Sequence, residues 1–181
     1  MISKRASEFT SFIVMDVMAK AQELERAGNH VIHMEVGEPD FPTPRVITEA
    51  AITALQNNKT SYTHALGLLE LREAICHFYF TEYGVSITPE QILVSTGTSP
   101  ALLFVMLALL DHGDEVVVSN PRYPCYQNFI SAAGGNLKEI KTFPEEGFQY
   151  RPKDIEKSLS PKTKGIIITT DRVVKEGAKI S

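Results

Sequence analysis

The sequence has no tryptophan, only two cysteines and no long apolar run, and each shortage removes a class of protein. Cys76 and Cys125 lie far apart and form no C-x-x-C pair, so neither a disulfide framework nor a zinc cluster can rest on them. A reducing, cytoplasmic setting is the expectation. The longest apolar stretch, Ala101 to Leu110, falls well short of the roughly 20 residues that a bilayer-spanning helix needs, so no membrane partner is expected. The N-terminus mixes Lys4, Arg5, Glu8 and Asp16 with short apolar pieces and shows no signal-peptide pattern. Positive charge is scarce too. Eighteen Lys and Arg against 22 Asp and Glu give a net charge of −4, with no basic run to displace counterions from a nucleic-acid backbone. G-x-G-x-x-G and G-x-x-x-x-G-K-[ST] are both missing, which argues against dinucleotide and Walker-type phosphate cradles.

What is there suffices for a folded α/β chain. At 181 residues and 43% hydrophobic composition, a compact fold can bury roughly 70% of the unfolded surface without disulfides or a structural metal. Residues 1 to 30 read as a helix stopped by Gly28-Asn29, with Met15 and Met18 as core filling. A short strand, Val31 to Val36, then meets Gly37-Glu38-Pro39-Asp40-Phe41-Pro42-Thr43-Pro44, where the prolines force an extended loop. Thr43 is positioned to cap a helix that starts at Pro44 and runs to about Asn57. From Gly67 to Tyr83, Leu68, Leu71, Ile75, Phe78 and Tyr79 recur at helical spacing and predict one buried face, with Arg72 and Glu73 as surface charges and Gly84 as the stop.

Beyond Gly84 the pattern changes. Ile92-Leu93-Val94, Val116-Val117-Val118 and Ile166-Ile167-Ile168 are continuous apolar triplets, with a weaker candidate at Leu137 to Thr142, and helical segments lie between them at Pro100–Leu110, Pro124–Ala133 and Pro152–Leu159. Met106 falls in the first of these as further core filling. Strands of this kind suit a sheet covered on both faces, and their alternation with helices predicts βαβ units. The expected fold is α/β, an incomplete, mainly parallel sheet preceded by a helical and extended N-terminal segment.

Ligands of such sheets sit beyond the carboxyl ends of the strands. Ser95-Thr96-Gly97-Thr98-Ser99-Pro100 opens directly into a helix and offers backbone N–H groups, hydroxyls and a positive dipole end to a phosphate; the alternative is that Thr98 or Ser99 only caps the helix. Ser119-Asn120-Pro121-Arg122-Tyr123-Pro124-Cys125-Tyr126 follows a buried strand and places Tyr123 at the same edge, where an aromatic can stack on a flat ring or simply pack. His64, His77 and His112 stand alone, and His30 and His33 share a strand face without a carboxylate or thiol cluster, so no metal is expected.

Taken together, Gly37-Glu38-Pro39-Asp40-Phe41, Tyr62 five residues before Gly67, Leu71-Arg72-Glu73-Ala74-Ile75, Thr96-Gly97-Thr98-Ser99, Gly113-Asp114-Glu115-Val116 and Asn120-Pro121-Arg122-Tyr123-Pro124 stand in the order and spacing of class I/II aminotransferases. From about residue 10 to Ile168 the chain resembles these pyridoxal-phosphate enzymes of the aspartate-aminotransferase fold. The resemblance implies that Gly37 lies over the substrate carboxylate, that Gly97, Thr98 and Ser99 hold the coenzyme phosphate, and that Tyr123 stacks on its ring where relatives often have Trp or Phe. It further implies that Tyr62 reaches the partner subunit's coenzyme phosphate in a homodimer. The substrates implied are an amino acid and a 2-oxo acid. The division that follows is an N-terminal helix and substrate-loop segment (1–44), part of the large coenzyme-binding domain (45–170) and a tail outside the family pattern (171–181).

The resemblance ends at Thr170. Relatives continue into Asn-Pro-x-Gly, whereas this chain reads Asp171-Arg172-Val173-Val174-Lys175, and none of its 11 lysines stands in the family's Ser-Lys context. No catalytic residue is assigned, because the lysine that forms a Schiff base with the coenzyme matches nothing here. The expectation is the N-terminal part of an aminotransferase, cut short and not itself competent, with marginal stability for want of its later packing partners. A non-catalytic fragment, or a lyase or regulator domain on the same fold, is the alternative, since fold does not fix reaction.

Overall fold

The computed structural model describes residues 2–3, 6–7 and 9–169, so the predicted tail at 171–181 lies outside the described residues. The chain divides into two compact units, residues 14–100 on one hand and residues 1–13 with 101–181 on the other.

In the 14–100 unit the helices are α1 (Ile13–Arg26, all but its first residue), α2 (Arg45–Gln56) and α3 (Leu69–Tyr83). α1 stops where Gly28-Asn29 demands: Gly28 takes φ +88°, and the Asn29 backbone and side-chain N–H groups both donate to the Leu24 carbonyl. α3 ends on Gly84 in the left-handed region. α2 starts one residue later than predicted. Pro44 occupies the N-cap position without a side-chain cap, and Thr43, held extended by the following proline, sits one residue too far out to reach the first free amides.

Two predicted strands carry no ladder. Among the described residues Val31 to Val36 is extended without a strand partner, and Ile92–Val94, which follows a 3-10 turn at Pro89–Gln91, is tied by the Ile92 amide donating to the Pro89 carbonyl and the Val94 amide donating to the Leu66 carbonyl. Burial departs from expectation as well. Leu68, Leu71, Phe78 and Tyr79 of the predicted buried face are exposed, and the α3 rings pack on one another, Phe78–Tyr83 at 5.8 Å and Tyr79–Tyr83 at 5.7 Å. Met15 is exposed and Met18 half-buried, so neither fills a core. Arg72, expected on the surface, is one of the unit's two buried residues, the other being Ala21.

The second unit holds the core. β1 (Glu115–Asn120), β2 (Asn136–Lys141) and β3 (Thr163–Ile166) form a parallel sheet in the order β2-β1-β3, linked by α5 (Tyr126–Ala132) and α6 (Pro152–Ser158). The weaker candidate at 137–142 is thus a full strand. The Ile166–Ile168 run enters the sheet only at its first residue, although the Ile167 amide still donates to the Val117 carbonyl. Val116, Val117 and Val118 are all buried, so β1 is covered on both faces, as its continuous apolar run requires. Met106 and Leu110, in and just after α4 (Thr98–Leu109), pack with Val116, Val118 and Ile130. Packing there is close. A Cβ on Gly135 would lie 2.8 Å from Leu110 Cδ1 and 3.2 Å from Ile130 Cγ2, so a larger residue in the α5–β2 connection would have to displace these core side chains.

Candidate functional site

The sheet order puts a topological switch between β1 and β3. From β1 the chain crosses to β2 on one side and then returns to place β3 on the other, and the carboxyl ends of two strands that diverge in this way leave a crevice. A groove of about 600 Å³ opens there. Ser119, Pro121, Arg122 and Tyr123 line it from the end of β1, Thr169 from beyond β3, and Gly147, Phe148 and Gln149 from the segment after β2.

Tyr123 is held at this edge by rings set nearly perpendicular to its own, Phe12 at 6.0 Å and Tyr126 at 5.4 Å, and is 40% exposed. The Tyr126 hydroxyl lies 3.2 Å from Thr169 Oγ1. Tyr150 donates its hydroxyl to the Ile167 carbonyl at 2.8 Å, and burial pushes its phenol up, which keeps it a protonated donor. Ser119 Oγ donates to the Pro121 carbonyl, closing the turn that leads to Tyr123. Behind it, Glu139 on β2 accepts from Asn120 Nδ2 at 2.7 Å and from Arg122 Nη1; these donors, Asn120 first, hold its carboxyl below the ordinary range.

Sequence reasoning located Tyr123 but missed Thr169 and the 147–149 segment. Gly147 and Phe148 take successive left-handed conformations, φ +60° and +56°, after a 3-10 turn at Pro144–Glu146. Arg151 pins that turn by donating Nε to Glu146 at 2.7 Å while its guanidinium lies 5.4 Å from the Phe143 ring centre. The Pro-Glu-Glu-Gly sequence announces a turn, but nothing local says which way it projects.

The other candidates belong to the 14–100 unit. Ser95 Oγ donates to the Gly97 carbonyl at 2.5 Å, and Gly97 has φ +103° with open space where a Cβ would sit. Thr98 and Ser99 begin α4, are exposed, and have no hydroxyl partner among the described residues, so neither engages in a capping bond. The first-turn amides, apart from Pro100, which has none, have no intrahelical acceptor, and the turn has the donor set of an anion cradle. Gly37 has ordinary backbone angles and no atom within 4 Å of a notional Cβ, so nothing in the chain itself requires glycine there. Tyr62 is fully exposed. His64 is a turn residue whose Nδ1 accepts from the Leu66 amide, and His33 bridges Glu35 and Glu25 through its two ring nitrogens at 2.6 and 3.0 Å. Among the described residues no helix is long and apolar enough to cross a membrane.

A sheet-edge aromatic at a switch point and a small hydroxyl-rich turn opening a helix match a known architecture. The chain belongs to the class I and II aminotransferases, whose sequence profile matches residues 29–170. It is 44% identical over 170 residues to the (5-formylfuran-3-yl)methyl phosphate transaminase of Methanocaldococcus jannaschii, covering 94% of this chain and 44% of that one. To the aspartate/prephenate aminotransferase of Thermus thermophilus it is 38% identical over 169 residues, covering 93% and 44% respectively. The solved aspartate aminotransferase of Thermus thermophilus with maleate matches with a TM-score of 0.89 at 39% identity, again over 93% of this chain and 44% of that one. The chain therefore spans less than half the length of these relatives, and the part it spans is their N-terminal one.

Proposed function

We propose that the chain forms the N-terminal part of a pyridoxal-phosphate-dependent aminotransferase, which moves an amino group between an amino acid and a 2-oxo acid. The observation that carries this reading is the groove at the β1/β3 switch point with Tyr123 in its wall. Taken unit by unit, residues present suit chemical features of the coenzyme. Gly97, with no side chain to fill the space beside the turn, and Thr98 and Ser99, with unengaged hydroxyls at the start of α4, suit a phosphate. Tyr123 suits a planar ring. When bound, pyridoxal phosphate supplies an electron-accepting ring for chemistry at an amino acid's α-carbon.

The chain's own residues bind and orient. Gly37 leaves its backbone open to a carboxylate, and the full exposure of Tyr62 suits a residue that reaches a second subunit, so in this reading the working form is a homodimer with a shared site. Residues 45–170 are read as part of the coenzyme-binding domain and residues 1–44 as the substrate-loop segment. The setting is cytoplasmic. No catalytic residue is assigned within these 181 residues, since no lysine matches the family's Schiff-base position.

Titration of the chain with pyridoxal phosphate, followed by quenching of tyrosine emission, tests the binding assignments. We expect saturable binding that inorganic phosphate competes away and that Thr98→Val with Ser99→Ala weakens. Equal affinity for dephosphorylated pyridoxal defeats the phosphate assignment. A borohydride-trapped adduct at one specific lysine, together with amino transfer, overturns the absence of a catalytic residue.

A further inference from the structure

We propose that Glu139 is the positioning residue for Tyr123, clamping the two side chains on either side of Pro121 and so fixing where the ring stands. The carboxylate faces the end of β1 from β2, where Glu139 pairs in register with Val118. One oxygen accepts from Asn120 Nδ2 at 2.7 Å and the other from Arg122 Nη1, so a single side chain bridges residues i and i+2 of the turn that delivers Tyr123. A second tether holds the same point: the backbone N–H and hydroxyl of buried Thr142 both donate to the Asn120 carbonyl, at 2.9 and 3.0 Å.

Arg122 depends on this carboxylate. Its side chain is only 22% exposed, its Nε is buried with no partner among the described residues, and Glu139 is the carboxylate it pairs with. Without Glu139 the guanidinium sits in the groove wall uncompensated. A mostly buried unpaired charge is expensive, and the cheapest relief is for Arg122 to swing out to water, carrying the neighbouring Tyr123 with it. The β1–β2 ladder itself does not need Glu139, because six register pairs from Glu115↔Asn136 to Asn120↔Lys141 hold it by backbone. Losing Glu139 therefore moves the turn and leaves the sheet in place. The direction in which the Glu139 carboxyl is shifted agrees, since Asn120 and Arg122 both favour its charged form.

This inference rests on the reading of Tyr123 as the aromatic that meets the coenzyme, and the test separates the two. The chain has no tryptophan, so Tyr123→Trp places a single tryptophan, excitable apart from the remaining tyrosines, at the position in question. In that background, Glu139→Ala, Arg122→Met, the double variant and the exchanged pair Arg122→Glu with Glu139→Arg are compared. The readouts are acrylamide quenching and fluorescence anisotropy of the tryptophan, amide exchange of Leu137 and Ile140 in β2, and affinity for pyridoxal phosphate. We expect Glu139→Ala to raise quenching, lower anisotropy and weaken coenzyme affinity about tenfold, with β2 exchange unchanged. Arg122→Met should add nothing to Glu139→Ala, and the exchanged pair should recover part of the loss. The charge-neutral Glu139→Gln gives the same comparison if the alanine variant fails to fold. An unmoved tryptophan overturns the proposal, and so does a tryptophan that moves only together with faster β2 exchange. A tryptophan that moves while coenzyme affinity stays constant upholds Glu139 and overturns the stacking role of Tyr123.

Discussion

Arg72 on α3 donates Nη1 to the carbonyl of Pro89 at 2.8 Å, and through this bond a buried guanidinium ties the helix to the 3-10 turn 17 residues further on. Its Nε donates to the Gly67 carbonyl at 3.3 Å, so one side chain holds the residue before the helix and the turn after it. Charge-assisted bonds of this kind contribute about 1.5–3 kcal/mol each when their loss leaves a group unpaired. Arg72→Met should destabilise the 14–100 unit by about 2–3 kcal/mol. Arg72→Lys keeps the charge but not the fork and should recover less than half of that. Urea unfolding followed by protease resistance of the Gly67–Gln91 region measures both, and equal stability of Arg72→Met and the unaltered chain refutes the tie.

Gly67 is fixed by a neighbour as well as by its own backbone. It has φ +95°, and a Cβ there would stand 2.7 Å from both Cβ and Cγ2 of Val94. The conformation alone costs an alanine about 1–2 kcal/mol, and the contact adds to it. Gly67→Ala should therefore lower the unfolding midpoint. Val94→Ala should not rescue it, because the clashing Cβ remains. Full rescue by Val94→Ala would show that only the γ-methyl matters.

His33 predicts a pH response. Its hydrogen bond with Glu35, and secondarily that with Glu25, raises the imidazole above its ordinary 6.5, while the same His33 bond lowers Glu35 below its ordinary 4.5. The raised group contributes stability that is complete below 6.5 and disappears as pH climbs through the higher folded value. The lowered group contributes above 4.5 and is lost as pH falls through the lower folded value. The link between α1 and the 33–35 segment is thus strongest between those ordinary values. An NMR titration of the His33 ring, identified by its loss in His33→Gln, should show a midpoint above 6.5, reduced more by Glu35→Gln than by Glu25→Gln. A midpoint at or below 6.5 sinks the assignment.

The sheet was legible because β1 is apolar at three consecutive positions and buried at all three, a pattern that few elements other than a central parallel strand satisfy. Helix stops were legible where glycine takes left-handed angles, at Gly28 and Gly84. Ile92–Val94 is likewise three consecutive apolar residues, yet among the described residues it joins no ladder and leaves Leu93 and Val94 exposed, since apolarity alone does not specify the neighbouring backbone that a strand needs. Arg72 misled for a related reason. Its spacing on α3 marks a polar position, and what buries it is a carbonyl far along the chain that no local pattern names. The candidate site divides the same way: Tyr123 follows from strand plus turn, while Thr169 and the 147–149 segment reach the groove through the course of the chain after β2 and β3.

The uneven distribution of buried apolar surface gives the last prediction. Ile130 is fully buried against Leu110, Val116 and Val118, so Ile130→Ala should cost the sheet unit about 2–5 kcal/mol, a loss that reaches cooperative unfolding of β1–β3. By contrast, α4 is apolar nearly all round but buries only Met106, leaving Phe104 52% and Leu107 55% exposed, while α3 exposes Phe78, Tyr79 and Phe80. Exposed apolar surface on this scale drives association, at about 25 cal/mol for each Å² removed from water. The isolated chain should self-associate in sedimentation velocity at micromolar concentration, and Phe104→Lys with Leu107→Lys should shift it toward monomer without weakening the core that Ile130 reports. A monodisperse monomer with one sharp thermal transition would show that these faces are compatible with water and that the thin core of the 14–100 unit is sufficient.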